Sequence, residues 1–236
     1  IESKAFEACD KVLITSKWSI DYCQKYYPHI PKDKYRVLPF SAQIYPPPVR
    51  TDWKLRDINR KNVVKFLFVG RDWSRKGGDK AVRVLEELAL KGLKVTLTVV
   101  GANPQIDSDL IDFDIISNLD CNNAMDKQKM IELYRSSHFF ILPINIEAFG
   151  IVFSEAMSFG LPVITHDVCA LPEILEDDVE GICVDFKAKA NEVALRVIDL
   201  VDDIEKYQRM QEACFSRFEK KFHPKSWVNN LLSLLN

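Results

Sequence analysis

From residue 63 the chain alternates two hydrophobic periods, and this limits its possible folds more than any other feature. VVKFLFV (63–69), VTLTVV (95–100), HFFILP (138–143), PVIT (162–165) and GICV (181–184) are short apolar runs rich in β-branched and aromatic residues. Such runs read as strands covered on both faces. Segments with helical spacing separate them. DKAVRVLEELALKG puts Ala81, Val84, Leu85 and Leu88 on one stripe, with Asp79 near its start and Gly92 just past its end. A weaker strand is predicted near 113–117. A helix is predicted over 126–136, opened by Asp126, with Met130, Ile131 and Tyr134 inward. Another covers about 150–159, and the rest after residue 184 is helical. Apolar strands alternating with amphipathic helices give βαβ units and a parallel sheet covered on both sides. The expected fold is a doubly wound α/β domain.

The two ends read differently. A short strand, KVLITS, leads into a helix capped by Ser16, followed by RVLPF and YPPP (45–48). Consecutive prolines cannot continue a helix or sheet and favour a stiff, extended connector. A domain boundary is therefore expected at residue 45. The last stretch, SWVNNLLSLLN, is amphipathic, follows Pro224 and reads as a separate final helix. The expected division is 1–45, 46–222 and 223–236.

Composition removes several function classes. With 47% apolar residues among 236, the chain can bury a substantial core. Thirty-two basic against 34 acidic residues, with no long run of one sign, argue against nucleic acid as a partner. Cys9, Cys23, Cys121, Cys169, Cys183 and Cys214 are scattered without a C-x-x-C pair, which favours a reducing, cytoplasmic compartment over a zinc site. No apolar run approaches the roughly 18 residues of a membrane span, and no signal peptide is visible. The chain begins with Ile rather than Met, as a fragment would.

In doubly wound sheets ligands bind outside the carboxyl ends of the strands, near the switch in strand order. Three loops therefore matter: after Val69, around Asn118, and after Pro143. GRDWSRKGGD (70–79) places Arg71, Arg75 and Lys76 before two glycines and a helix start. Free N–H groups and a partial positive charge there suit an anion. This is neither a Walker A loop nor G-x-G-x-x-G; it also reads as a solvated basic loop. The third loop holds EAFGIVFSE (147–155), where Glu147 lies beyond the strand, Phe149-Gly150 opens a helix, and Glu155 falls on its second turn. Helical side chains tilt toward the N-terminus, so Glu155 can point back at the same crevice. Two carboxylates beside a cationic loop suit a ligand bearing both hydroxyls and phosphates. The plainer alternative has Glu147 capping the helix and Glu155 pairing with a surface base.

E-x7-E after a strand ending in Pro, then EAMSFGLPVIT and LPEIL, with G-R-x4-K-G at 70–77, resembles the retaining glycosyltransferases of family 4, which have the GT-B fold. The likeness covers nearly the whole chain. It implies a Rossmann-like donor domain preceded by the last strand and helix of an acceptor domain. It also implies that the final helix, around Trp227, crosses back to that domain. By this resemblance Arg71 and Lys76 hold the diphosphate of a nucleotide-sugar donor, Glu147 contacts the sugar and Glu155 the ribose. Backbone amides at Phe149, Gly150 and Ile151 approach sugar and phosphates, and the base lies near Asn118 and Leu119. Retention implies attack on an oxocarbenium-like sugar from the face the diphosphate leaves. The cations and the helix dipole stabilise that leaving group, so no metal or other cofactor is expected. Expected partners are a nucleotide-sugar and a glycan or lipid-linked acceptor. Polysaccharide biosynthesis at the inner face of a membrane, with peripheral association through the acceptor domain, is the expected setting. A nucleotide-sugar-binding module without transfer and a GT-B epimerase are the alternatives.

The sequence departs from the family at three points: Asn118 stands for a usual Gly, Ile144 for a common Ser, and Cys169-Ala170 for a frequent Gly-Gly. Asn tolerates the left-handed backbone that Gly would supply. Base and sugar are not readable. Among remaining candidates, Asp112-Phe113-Asp114 mimics D-x-D but reads as solvated charge, and His166 as loop structure or crevice lining. Trp73 stacks on ligand or covers its loop, Glu173 holds a loop or helix start, and His138 is structural.

Overall fold

The computed structural model describes residues 2–44, 46–50, 54–120 and 122–235. Tyr45 of the proline connector and Cys121 thus lie outside the described residues. The N-terminal piece holds α1 (Glu2–Ala8), β1 (Val12–Ile14), α2 (Lys17–Tyr26) and β2 (Tyr35–Val37). The main body follows as β3 (Val64–Val69), α3 (Gly78–Leu90), β4 (Val95–Val100), β5 (Asp112–Ile116), α4 (Ala124–Ser136) and β6 (Phe139–Ile141). It continues through α5 (Ile151–Ser158), β7 (Val163–His166), α6 (Leu171–Ile174), β8 (Gly181–Val184), α7 (Ala190–Asp202) and α8 (Ile204–Arg217). A π-helical turn (Phe218–Phe222) leads into α9 (Pro224–Leu235).

Six parallel strands form one sheet in the order β5-β4-β3-β6-β7-β8. Strand order reverses between β3 and β6, where Phe66 lies opposite Phe139 and Leu67 opposite Phe140. This is the doubly wound arrangement, with its ligand crevice at the carboxyl ends of β3 and β6. Both strands read as near-continuous apolar runs because both faces are covered. Phe66, Leu67, Phe68, Phe139, Phe140 and Ile141 are fully buried. The predicted stripe of α3 is the buried one, and α3 lies along α7. Tyr134 of α4 stacks on Phe159 at the end of α5, ring centroids 5.3 Å apart.

Two element starts differ from the sequence reading. The helix predicted from Asp126 begins at Ala124, because the Asn123 side chain accepts from the amides of Met125 and Asp126. The Asp126 carboxylate instead accepts from the Asp120 amide at 3.0 Å and closes the preceding turn. The weak strand runs over 112–116, and Ile131 is only partly buried.

β1 and β2 pair in parallel as a separate two-stranded sheet. Val12, Ile20, Ile30 and Tyr35 form a small cluster of their own there, while Ala42 and Ile44 already belong to the main core. The Ala42 amide donates to the Phe222 carbonyl at 2.9 Å, and Lys11 Nζ donates to the Leu234 carbonyl of α9. A second tie passes through Glu173. Its carboxylate accepts from the amides of Lys17 and Trp18, both at 2.8 Å, so a side chain on α6 caps α2.

Candidate functional site

The β3–α3 loop and the β6–α5 loop meet at Gly77. Its φ is +78°, and a Cβ there would lie 1.9 Å from the Pro143 carbonyl oxygen. Only glycine permits both the left-handed backbone and that approach. Asn145 then joins the loops: its amide donates to the Arg75 carbonyl and its Nδ2 to the Ser74 carbonyl, each at 3.1 Å. Arg75 Nη1 returns a bond to the Ile146 carbonyl at 3.4 Å. As a result Lys76 Nζ rests on Glu147 Oε2, with Arg75 Nη1 3.8 Å from the same oxygen. The Lys76 and Glu147 side chains are only 13% and 17% exposed, so this pair is largely withdrawn from water.

Next to the pair, α5 begins. Gly150 is its N-cap, at φ +75°, with no side chain bonded to the helix end. Phe153 is the first residue whose amide bonds back within the helix, to the Gly150 carbonyl at 3.0 Å. The preceding amides belong to the set that a helix leaves without internal acceptors, and they carry the positive end of its dipole. Lys76, Glu147, Gly150, Ile151 and Val152 line an open cavity of about 280 Å³, to which the N-terminal piece contributes Thr15 and Phe40. Cation, carboxylate and helix terminus in one small space can take a phosphate and a hydroxyl side by side.

Of the expected residues, Lys76, Glu147, Phe149, Gly150 and Ile151 gather at this cavity. The Phe149 ring is buried edge-on against Phe40 and Phe222, at 5.5 and 5.9 Å, so only its backbone is open to a ligand. Glu155 lies on α5's second turn, where the Tyr134 hydroxyl donates to Oε2 at 3.0 Å. Burial pushes the Glu155 carboxyl up, opposed by bonds from Tyr134 and the Gln43 backbone. Arg71 is exposed at the end of β3, its Cγ 3.6 Å from where a Gly101 Cβ would stand. Asn118 is exposed and Leu119 partly buried beyond β5. These four are not among the cavity's lining residues; they surround the carboxyl ends of β3 and β5 and the flank of α5. Glu147 pairs with Lys76 and does not cap α5.

The other candidates resolve into structure. Trp73 covers its own loop: it lies over Gly78, whose Cβ would fall 2.1 Å from the ring, and its Nε1 donates to Asp79 at 2.7 Å. His138 accepts the Lys65 amide on Nδ1 at 2.9 Å, and burial pulls its pKa down to about 4. His166 is buried in β7 with Nδ1 donating to the Ile144 carbonyl at 3.1 Å, and burial lowers its pKa. Asp112 and Asp114 are exposed on the edge strand. Among the described residues no three His, Cys, Asp or Glu side chains gather around a metal position, and the five described cysteines are free. Sequence reasoning assigned Tyr134 to the core from its period alone; its hydroxyl, which positions Glu155, carries no periodic signal. It noted that Asn118 would tolerate a left-handed backbone in place of the usual Gly; among the described residues the non-glycine positions that adopt one are Cys169, at φ +54°, and Asp178, at φ +61°.

A family model described as glycosyl transferases group 1 matches residues 51–217. The chain belongs to that family. Lipopolysaccharide glucosyltransferase WaaG of Escherichia coli K12 is 29% identical over 180 residues, covering 70% of this chain and 46% of WaaG. A 41.2 kDa protein of the cps region of Klebsiella pneumoniae is 26% identical over 182 residues, 74% of this chain and 47% of that protein. The chain thus spans about half the length of these relatives. The crystal structure of WaaG superposes with a TM-score of 0.69 at 18% identity, over 93% of this chain and 61% of that one. HepE of Anabaena, crystallised with UDP and glucose, gives 0.68 at 14% identity, over 100% and 67%. The fold is therefore GT-B, with the Rossmann-like sheet of its C-terminal domain.

Proposed function

We propose that this chain is the donor-binding half of a retaining glycosyltransferase that uses a nucleoside-diphosphate sugar. The observation carrying this reading is the Lys76–Glu147 pair beside the open N-terminus of α5, at the switch point of the sheet. An incoming diphosphate competes with Glu147 for Lys76 and receives the first amides of α5. Glu147, released from its cation, accepts hydroxyls of the sugar. As the sugar–phosphate bond breaks, negative charge grows on the leaving diphosphate, where Lys76 and the helix dipole stabilise it without reorganising. Arg71, at the rim, adds a second cation once the diphosphate extends toward β3. Glu155 takes the ribose and the loop at Asn118 and Leu119 the base.

The name of the WaaG relative supports a lipid-linked glycan as acceptor, and the cps relative supports polysaccharide biosynthesis. Both fit a reaction in the cytoplasm at the inner face of a membrane. UDP is the first probe, because HepE was crystallised with it. The test is calorimetry with UDP and UDP-glucose. Glu155→Ala should weaken both ligands, because the nucleoside contact is lost from each. Glu147→Ala should leave UDP bound at least as tightly, because its competitor for Lys76 is gone, and weaken UDP-glucose, by about 1.5–3 kcal/mol for a bond to a charged group. Equal losses for both ligands in both variants would overturn this division of roles. Affinity should persist in EDTA; a collapse reversed by Mn²⁺ would show that a metal, not Lys76, neutralises the diphosphate.

A further inference from the structure

A second cavity, of about 320 Å³, opens between the N-terminal ends of α3 and α7 and the carboxyl ends of β7 and β8. It shares no lining residue with the Lys76–Glu147 cavity. Its floor is apolar, from Ile164, Val184 and Val193, and its rim is basic: Lys80 and Arg83 from α3, Lys187 and Lys189 from the β8–α7 loop. Among the described residues none of these four cations forms an ion pair. The nearby Asp185 carboxylate accepts from the Lys187 amide at 2.7 Å.

Lys80 Nζ is the decisive group. It is sealed from solvent and has no hydrogen-bond acceptor. It lies 3.4 Å from the centroid of the Phe186 ring, which supplies only a quadrupole to offset the charge. A buried cation without an acceptor costs free energy that a buried anion would recover. Burial and the neighbouring Arg83 both lower the Lys80 pKa, as expected for an uncompensated charge.

We propose that this cavity binds a small phosphomonoester, with the phosphate on Arg83 and the β8–α7 lysines, joined by Lys80 once the exposed Phe186 ring turns off its Nζ, and the carbon skeleton on the apolar floor. At about 320 Å³ the space stands at the lower end of ligand pockets, about 300–1,000 Å³, and suits a small phosphorylated compound. The site is independent of the donor reading, and its failure leaves that reading untouched.

The test is calorimetry on this chain with glucose 6-phosphate, inorganic phosphate and glucose, alongside sedimentation with phosphatidic acid vesicles. Glucose 6-phosphate should bind saturably and more tightly than inorganic phosphate, and glucose should not bind. Lys80→Met should weaken it about tenfold or more, the loss expected for one charge-assisted bond, while leaving UDP affinity unchanged. Lys76→Ala should leave glucose 6-phosphate affinity unchanged. If Lys80→Met does not fold, the exposed pair Lys187→Gln and Lys189→Gln carries the same test, with a several-fold loss expected. No saturable binding of either soluble phosphate, binding to vesicles alone, or equal weakening by Lys76→Ala would each overturn the proposal.

Discussion

At Gly77 the backbone of one loop touches the carbonyl of another, and a single methyl group tests the contact. Gly77→Ala places a Cβ where the Pro143 oxygen stands and forces it into φ +78°. We expect a loss of several kcal/mol in urea unfolding, far above the roughly 1 kcal/mol typical of point changes. Cys169 gives the opposite sign. It holds φ +54° with a side chain that disfavours it, so Cys169→Gly should raise stability by up to about 1 kcal/mol and lift the melting temperature. The sequence comparison flagged this position as a departure from Gly-Gly, but only a dihedral angle shows which residue bears the strain. His138 supplies a pH dependence. Its pKa is about 4 when folded against 6.5 when unfolded, so between these values the unfolded chain binds more protons. Stability is therefore present above pH 6.5 and lost as pH falls toward 4, by at most about 3 kcal/mol. His138→Gln, which keeps an acceptor for the Lys65 amide, should flatten the change in urea midpoint between pH 7 and 5. An unaltered slope would contradict the assignment.

Elements were legible where their signal was local. The α3 stripe, the β4 run and the GICV strand follow from period and composition, because both faces of the sheet are covered. Helix starts show the limit. Ser16 caps α2 through its own sequence, accepting from the Ser19 amide, and is readable. Glu173 satisfies the amides of Lys17 and Trp18 from more than 150 residues away, and no window of sequence reports that. Together the two residues account for the first three orphan donors of α2. Glu173→Ala should therefore speed hydrogen exchange at Lys17 and Trp18 and cost about 1–2 kcal/mol at that end, with Ile20 and later amides less affected. Arg56 was invisible for the same reason. It donates to the carbonyls of Tyr134, Arg135, Phe159 and Gly160 and to Gln211 Oε1, binding the ends of α4 and α5 to α8. It lies in an irregular stretch, residues 54–59, and so has no period to read.

On the scale of the whole molecule, the fold class and the crevice were legible because the strand order reverses where the two motif loops are. The pairing within the crevice was not, because it depends on Gly77 and Asn145 bringing residues 71 apart in sequence together. Among the described residues of the N-terminal piece, Thr15 and Phe40 face that corner. Transfer needs an acceptor held at about 3–3.5 Å from the reacting carbon, so this chain alone should bind donor without transferring sugar. The central claim is that Lys76 and the start of α5 hold a diphosphate. Calorimetry of UDP and uridine against the native chain and Lys76→Met, in EDTA, addresses it directly. The account predicts that Lys76→Met loses about tenfold or more of its UDP affinity while uridine binding is unchanged. Equal UDP affinity in the two proteins, or a parallel loss for uridine, would contradict it.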